Sequence, residues 1–488
     1  MSDKKIVMLP DSDVHLREVT TYIEKIPDAD YSQASGEARE AFRDMKYGLR
    51  IHWGLYTQWH LANESWPFLK MSDEERYRYQ ELYKEFNPKS FDAEEWMGFF
   101  ERAGFKCFAF TSKHHEGFSM FDTKTHVKQR VNWLASDGPQ IEDCDFPYSV
   151  MDSPYKRDIV KELCDAAHRH DIKIDLYFSH PDWFDADFRP YVFHPLTVPD
   201  YEQLLTKREL SDMPSRFGGK QRPLPVHALT KEEKTRMIAR HREQLSELLT
   251  NYGKIDMICL DMWLGEDIWP EIRETMKILR KIQPDVMFRA RGVGNYGDYY
   301  TPEGFVPGSK ENTDMPWMVI YPLASSFSFD PDDNKYKGTD WIIRNLIDAV
   351  AKGGNFMVAI GPDENGLWHP EAIRQLEAAG QWLKVNGEAI YGTRERPGTL
   401  YKEGDNLYFT RSKDNRTIYA ISLGWPGKSL SIQSVCPREG SAVRLLGYEG
   451  NLPWTYDNER RLRIELPESL SEEQSRPCGT AYAFKIEV

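Results

Sequence analysis

KIDMICLDMWLGE, residues 254–266, decides the fold. Ile255 to Leu260 form a short apolar run of the length that suits a strand buried on both faces, as in parallel sheets. The run delivers a carboxylate, Asp261, into an aromatic turn with Trp263 and Gly265. In parallel α/β folds chemistry gathers at the C-terminal ends of strands. A lone Asp in that place more often caps the next helix or satisfies loop backbone. Here the other strand ends carry polar cargo too.

Working outward, the same grammar recurs. Tyr47 to Trp53 reads as a strand that brings His52 to its end, with Gly54 allowing a sharp exit. Ser90 to Ala103 reads as a helix opened by Asp92 and Glu95, with Trp96, Phe99, Phe100 and Ala103 on one face and Gly104 stopping it. The strand FKCFAF runs into TSKHHEGF, placing His114 and His115 where strand becomes loop. A helix over 155–170 leads to IKIDLYFSH, with Tyr177 and His180 near its end. Helices over 231–252, 270–282, 339–352 and 370–386 alternate with the Asp261 strand, with VMFRAR ending at Arg291, and with NFMVAIG. Residues 181–229, rich in Pro, Asp and aromatics, are too long for a simple connection and read as a lid or substrate-facing insertion.

This alternation predicts a (β/α)8-like barrel of the TIM type over residues 45–392, after a polar lead-in at 1–44. Beyond it, NLYFTRS, TIYAISL, SLSIQSV, SAVRLLGY, RLRIEL and TAYAFKIEV are short and alternating, predicting an antiparallel β-sandwich over 393–488.

A net charge of −14 argues against nucleic acid or an anionic membrane as partner, because both require clustered Lys and Arg. The six cysteines lack CxxC spacing and imply neither a zinc site nor a disulfide framework. The N-terminus has no apolar stretch of signal length and no run of about 18 apolar residues occurs, so no membrane insertion is expected. The chain reads as soluble and cytoplasmic as written, or periplasmic or secreted if an export leader has been removed. Aromatic content of 13% suits flat contacts with sugar C–H faces, though a large core uses aromatics as well. A homo-oligomer is compatible with everything in the sequence.

GLRIHWGLY (48–56), FTSKHHEGFSMFDTKTH (110–126), DLYFSHPDW (175–183), LDMW (260–263) and the long WIIRNLIDAVAKGGNFMVAIGPDENGLWHPEAIRQLEAAGQWLKVNGEAIYGTR (341–394) resemble the retaining α-L-fucosidases of glycoside hydrolase family 29. The resemblance implies an exo-acting hydrolase that removes terminal α-L-fucose from an oligosaccharide or polysaccharide end. It further implies Asp261 as nucleophile, His52, His114, His115 and Tyr177 as ligands of the sugar hydroxyls, Arg291 as an orienting residue and Phe327 against the sugar's methyl edge. Glu64 and Trp66 match the family's Glu-Trp feature with Ser65 intervening. No metal or other cofactor is required by this chemistry, which needs one carboxylate nucleophile and one carboxylic acid that later serves as base.

The acid/base is the point of departure. The string aligned with the family's PWE reads MPWMVIY and puts Met318, which transfers no proton, at the position of the Glu. Glu303 and Glu311 are the nearest replacements, with Glu303 ranked first. Cys259 two residues before the nucleophile and PLASSFSFD at 322–330 depart from the family pattern as well. Smaller or more polar walls there would admit a hydroxyl on C6, giving an α-L-galactosidase on algal galactan fragments as one alternative. If no carboxylate replaces the missing Glu, a non-catalytic sugar-binding relic is another.

Overall fold

The computed structural model describes residues 24, 27–191, 193–196, 228–304, 306, 314–331, 335–456 and 461–488. Glu311 and most of the predicted insertion over 181–229 lie outside these residues.

Seven parallel strands form the barrel wall. They are β1 (Tyr47–Ile51), β2 (Cys107–Lys113), β5 (Lys173–Ser179), β6 (Met257–Asp261), β7 (Met287–Phe288), β8 (Met318–Pro322) and β9 (Asn355–Ile360), hydrogen-bonded in the order β7-β6-β5-β2-β1-β9-β8. The gap between β7 and β8 is bridged by an irregular eighth segment. Its parallel bridges pair Tyr299 with Arg289, Tyr300 with Trp317 and Glu303 with Ile320. The wall is thus the predicted barrel with one strand position frayed.

The helices flank the strands as their apolar stripes require. They comprise α1 (Gly36–Met45), α2 (Asp73–Gln80), α3 (Ala93–Ala103), α4 (Ile159–Arg169), α5 (Lys231–Thr250), α6 (Trp269–Ile282), α7 (Thr339–Ala351) and α8 (Pro370–Asn386). In α3, Asp92 caps the first turn by accepting from the amides of Glu94 and Glu95. Trp96, Met97, Phe99, Phe100 and Ala103 are buried, and Gly104 ends the helix at φ 83°. A side chain there would be strained in the left-handed region. A β-hairpin of β3 (Val127–Asn132) and β4 (Gln140–Phe146), unforeseen in the sequence, is inserted after β2.

The barrel interior is layered along each strand by the two-residue period. Met257, Met287, Met318 and Met357 form an apolar floor, into which α1 packs Phe42 and Met45 from the N-terminal end. One step up sit Cys259 and Arg289, and one step further Asp261 and Arg291. The polar end is therefore the C-terminal mouth. Met318, expected from the sequence at the acid/base position, instead begins β8, faces the methionine floor and pairs with the first residue of β9. The aligned string is displaced, because the region before it is loop without a period to fix register.

No regular helix separates β7 from the frayed segment, only a 3-10 turn over Gly294–Tyr296. Asp298 holds this side together: its Oδ2 accepts from the Phe288 amide at 2.9 Å and from Arg280 Nη2 at 2.7 Å, and its Oδ1 accepts from the Ala34 amide at 2.8 Å. Both members of the ion pair are buried. Removing one partner leaves the other charge unpaired, so Asp298→Ala is expected to destabilise the barrel by about 3–5 kcal/mol. Denaturant titration of the two proteins, followed by tryptophan fluorescence, checks this; an unchanged midpoint would contradict it.

The C-terminal strands form the predicted sandwich. A five-stranded sheet of β10 (Lys402–Glu403), β11 (Leu407–Arg411), β12 (Thr417–Ser422), β17 (Tyr482–Glu487) and β14 (Val443–Leu445) faces a three-stranded sheet of β13 (Ser429–Ile432), β16 (Leu462–Glu465) and β15 (Trp454–Tyr456). Tyr419, Ile421, Ala481 and Ala483 belong to the apolar cluster of the barrel, and Trp382 of α8 donates to the Ala481 carbonyl at 2.8 Å. Trp425 packs on Tyr482 and Trp454 donates to the Ser441 carbonyl, so both serve the sandwich itself.

Candidate active site

Asp261 ends β6 with a side chain 14% exposed at the mouth. Its Oδ1 accepts from Arg291 Nη1 at 2.9 Å and Arg289 Nη1 at 3.3 Å, and its Oδ2 accepts from the Tyr177 hydroxyl at 2.8 Å. Burial and the adjacent Asp261 carboxylate drive Tyr177 well above the ordinary phenol value, so it remains a donor. His115 Nε2 stands 4.0 Å from Oδ2. Three donors and one imidazole therefore fix one carboxylate at a strand tip.

The same two guanidiniums reach a second carboxylate. Arg289 Nη2 and Arg291 Nη2 each lie 2.8 Å from Glu303 Oε1, at the end of the frayed strand segment. The Glu303 side chain is 29% exposed, twice as open as that of Asp261. The sequence placed Arg291 here but not Arg289, whose partners lie on other strands.

Opposite this pair, His52 sits just beyond β1 with its ring 5.6 Å from Phe327, 5.7 Å from His114 and 5.7 Å from Tyr177. His114 stacks on Tyr177 at 5.4 Å, and its Nδ1 is 2.5 Å from Ser65 Oγ. The serine that interrupts the Glu-Trp string thus anchors a histidine. Trp66 meets His115 edge-on at 4.8 Å. The strand turns at His114, which lets both adjacent histidines face the mouth.

Electrostatics make these groups neutral. Burial, then Arg50, holds His52 well below the usual imidazole value; burial, then His115, does the same for His114; burial lowers His115 to about 4 against the pull of Asp261. Burial pushes the Glu64 carboxyl up to about 8, against the opposing pull of Arg50, so it is protonated at neutral pH. Glu64 Oε1, His52 Nδ1 and both ring nitrogens of His115 are buried and have no hydrogen-bond partner among the described residues. Buried polar groups are rarely left orphaned, which makes these candidates for ligand contacts. Glu64, His52 and His114 offer polar atoms within 4.8 Å of one another, a cluster sized for a hydroxyl or a metal ion.

All the sequence-predicted residues within the described chain thus converge: His52, Glu64, Trp66, His114, His115, Tyr177, Asp261, Arg291, Glu303 and Phe327. Arg50, Arg289 and Ser65 are additions. Ser326 and Ser328, the polar residues flanking Phe327, do not open a polar wall. Ser326 Oγ accepts from the Asn63 amide at 2.9 Å, and Ser328 Oγ donates to the Leu61 carbonyl at 3.0 Å.

A carboxylate at the mouth of a parallel barrel, a second carboxylate beside it and a wall of neutral imidazoles with an aromatic face define a glycoside hydrolase site. Residues 24–388 match the family model described as alpha-L-fucosidase, and 402–487 match the alpha-L-fucosidase C-terminal domain. The chain belongs to the alpha-L-fucosidase family. It is similar to human tissue alpha-L-fucosidase, 28% identical over 454 residues covering 88% of this chain and 84% of the relative. With human plasma alpha-L-fucosidase it shares 25% identity over 476 residues, 91% and 89% of the two chains. Alpha-L-fucosidase isoenzyme 1 from Paenibacillus thiaminolyticus superposes with a TM-score of 0.71 at 24% identity, over 92% of this chain and 99% of that one. A family 29 fucosidase from Bacteroides thetaiotaomicron, solved as a trapped covalent intermediate with 2-fluoro-fucosyl fluoride, gives 0.71 at 21% identity over 94% and 98%. No described helix is long and apolar enough to cross a membrane.

Proposed function

We propose that the protein is an exo-acting retaining α-L-fucosidase, with Asp261 as nucleophile and Glu303 as acid/base. The observation that carries this is the pair of guanidiniums shared by Asp261 and Glu303. Glu303 enters as the carboxylic acid and protonates the leaving oxygen while Asp261 attacks the anomeric carbon, giving a glycosyl ester and a Glu303 carboxylate that the guanidiniums stabilise; that carboxylate then takes a proton from the water that opens the ester. Esterification removes the Asp261 charge and leaves both guanidiniums to Glu303, which works in the second step as a carboxylate base. Glu64 is the less suited carboxyl for this role, because it is buried beside His52 and His114 while Glu303 is the more open carboxyl on the guanidiniums that hold Asp261. As a neutral acid beside two neutral imidazoles it can both donate to and accept from sugar hydroxyls.

Phe327 against His52 supplies the apolar face for a C6 methyl, since the neighbouring serine hydroxyls are engaged on the 61–63 backbone. Fucose is the substrate this wall fits, and nitrophenyl α-L-fucoside and nitrophenyl α-L-galactoside test it directly. An apolar pocket discriminates against an added hydroxyl by roughly a hundredfold. We expect kcat/KM to favour the fucoside by about that factor; equal values or a preference for the galactoside would overturn the fucose assignment. Sugar binding without release of nitrophenol from either substrate would replace hydrolysis with the binding-relic alternative.

A further inference from the structure

We propose that Arg50 is a positioning residue that locks His52 in the tautomer bearing its proton on Nδ1, so that His52 is a hydrogen-bond donor to the sugar. Arg50 lies on β1, inward-facing and buried, two residues before His52. Its Nε is 3.1 Å from His52 Nε2. A guanidinium has donors only and keeps its proton throughout the pH range of proteins. His52 Nε2 must therefore present a lone pair, and in the neutral ring the proton resides on Nδ1.

Arg50 is itself held on two further sides. Its Nη1 donates to Cys259 Sγ at 2.9 Å, and its guanidinium carbon lies 4.6 Å from the centre of the Tyr177 ring. Arg289 Nη1 meets the same sulfur at 3.3 Å, so Cys259 ties the strut under His52 to the strut under Asp261. His52 Nδ1 is buried and has no hydrogen-bond partner among the described residues. The locked tautomer turns that orphan atom into a buried N–H on a ring that also contributes a nitrogen to the cluster with Glu64 and His114.

This inference rests on the sugar-site reading of the cluster, but its first test needs no turnover. In unmodified protein labelled with 15N-histidine, the ring signals that vanish in His52→Asn should show a protonated Nδ1 and an unprotonated Nε2. A protonated Nε2 in the ligand-free protein overturns the proposal whatever the enzyme hydrolyses. The second test is kinetic. Arg50→Leu should raise KM for nitrophenyl α-L-fucoside roughly tenfold, the worth of one hydrogen bond to a buried group, with a smaller change in kcat. Arg50→Lys, which still only donates, should recover most of the loss. In the His52→Asn background Arg50→Leu should change KM by less than about twofold, since coupled residues are non-additive. An equal loss in both backgrounds would show that Arg50 acts on the barrel and not through His52. Failure of all variants and parent to cleave the fucoside, with the tautomer intact, would remove the fucosidase reading and leave the positioning role standing.

Discussion

Asp261→Asn is expected to lower kcat/KM on nitrophenyl α-L-fucoside by about 10³-fold or more, the scale of losing a group that acts only in the transition state. A thousandfold loss is about 4 kcal/mol of barrier. The amide is nearly isosteric with the carboxylate, keeps an oxygen for Arg291 and Arg289 and turns an N–H donor to the Tyr177 hydroxyl oxygen, so the mouth of the barrel keeps its shape while losing its nucleophile. Circular dichroism and thermal melting establish that the variant is folded. Asp261→Gly extends the test: azide at high concentration fills the space left by the side chain and should restore release of nitrophenol, with a product of inverted anomeric configuration. Turnover within tenfold of the parent in the Asn variant would show that the carboxylate at the tip of β6 is not the attacking group.

How much of this is legible in the sequence depends on what kind of signal each residue leaves there. Asp261, His52, His114 and Tyr177 follow short apolar runs whose ends can be read from composition, and the strands stop within a few residues of where those runs stop. Helix α8 is marked at both ends, by Pro370 and by Asn386 before Gly387, and its predicted and observed limits coincide. Arg50 and Cys259 carry no such mark. Each sits inside an apolar strand, and the bond between them joins residues separated by 209 positions in the chain. A buried charge becomes intelligible only when its partner is in place, and partners across a barrel are not local in sequence.

The frayed wall was illegible for a related reason. VMFRAR reads as one strand to Arg291, yet regular pairing stops at Phe288. From Arg289 onward the neighbour is the irregular 299–303 segment, whose GDYYTPE sequence has neither apolar alternation nor a helix before it. The same irregularity left the acid/base candidate open between Glu303 and Glu311. A loop string has no period to pin its register, so Met318 could be set against a catalytic position although it stands in the methionine floor, two residues before the Ile320 that bridges Glu303. Where the barrel is regular, sequence pattern locates chemistry; where it frays, only the guanidinium pair identifies which Glu stands beside the nucleophile.

Glu303→Ala tests that identification. General acid catalysis contributes typically 10²–10⁴-fold, and its share grows as the leaving group becomes more basic. The variant should therefore lose about 10³-fold or more in kcat/KM on a fucosyl-sugar linkage, whose alkoxide must be protonated as it departs. On nitrophenyl fucoside, which needs little protonation, formation of the glycosyl ester should be nearly preserved and its hydrolysis slowed. The expected signature is a burst of nitrophenol followed by a slow steady state. Azide should accelerate that steady state, because an anionic nucleophile needs no base, and the fucosyl azide formed should retain the anomeric configuration of the substrate. Loss of Glu303 also removes the second carboxylate on Arg289 and Arg291, both of which bind Asp261. Two guanidiniums on one carboxylate stabilise its charge and weaken it as a nucleophile, so a modest drop in the burst rate is part of the prediction. Glu64→Gln discriminates between the two carboxyls. It should raise KM through the lost sugar contact, without a burst and without azide acceleration; a burst in that variant and none in Glu303→Ala would transfer the acid/base role to Glu64.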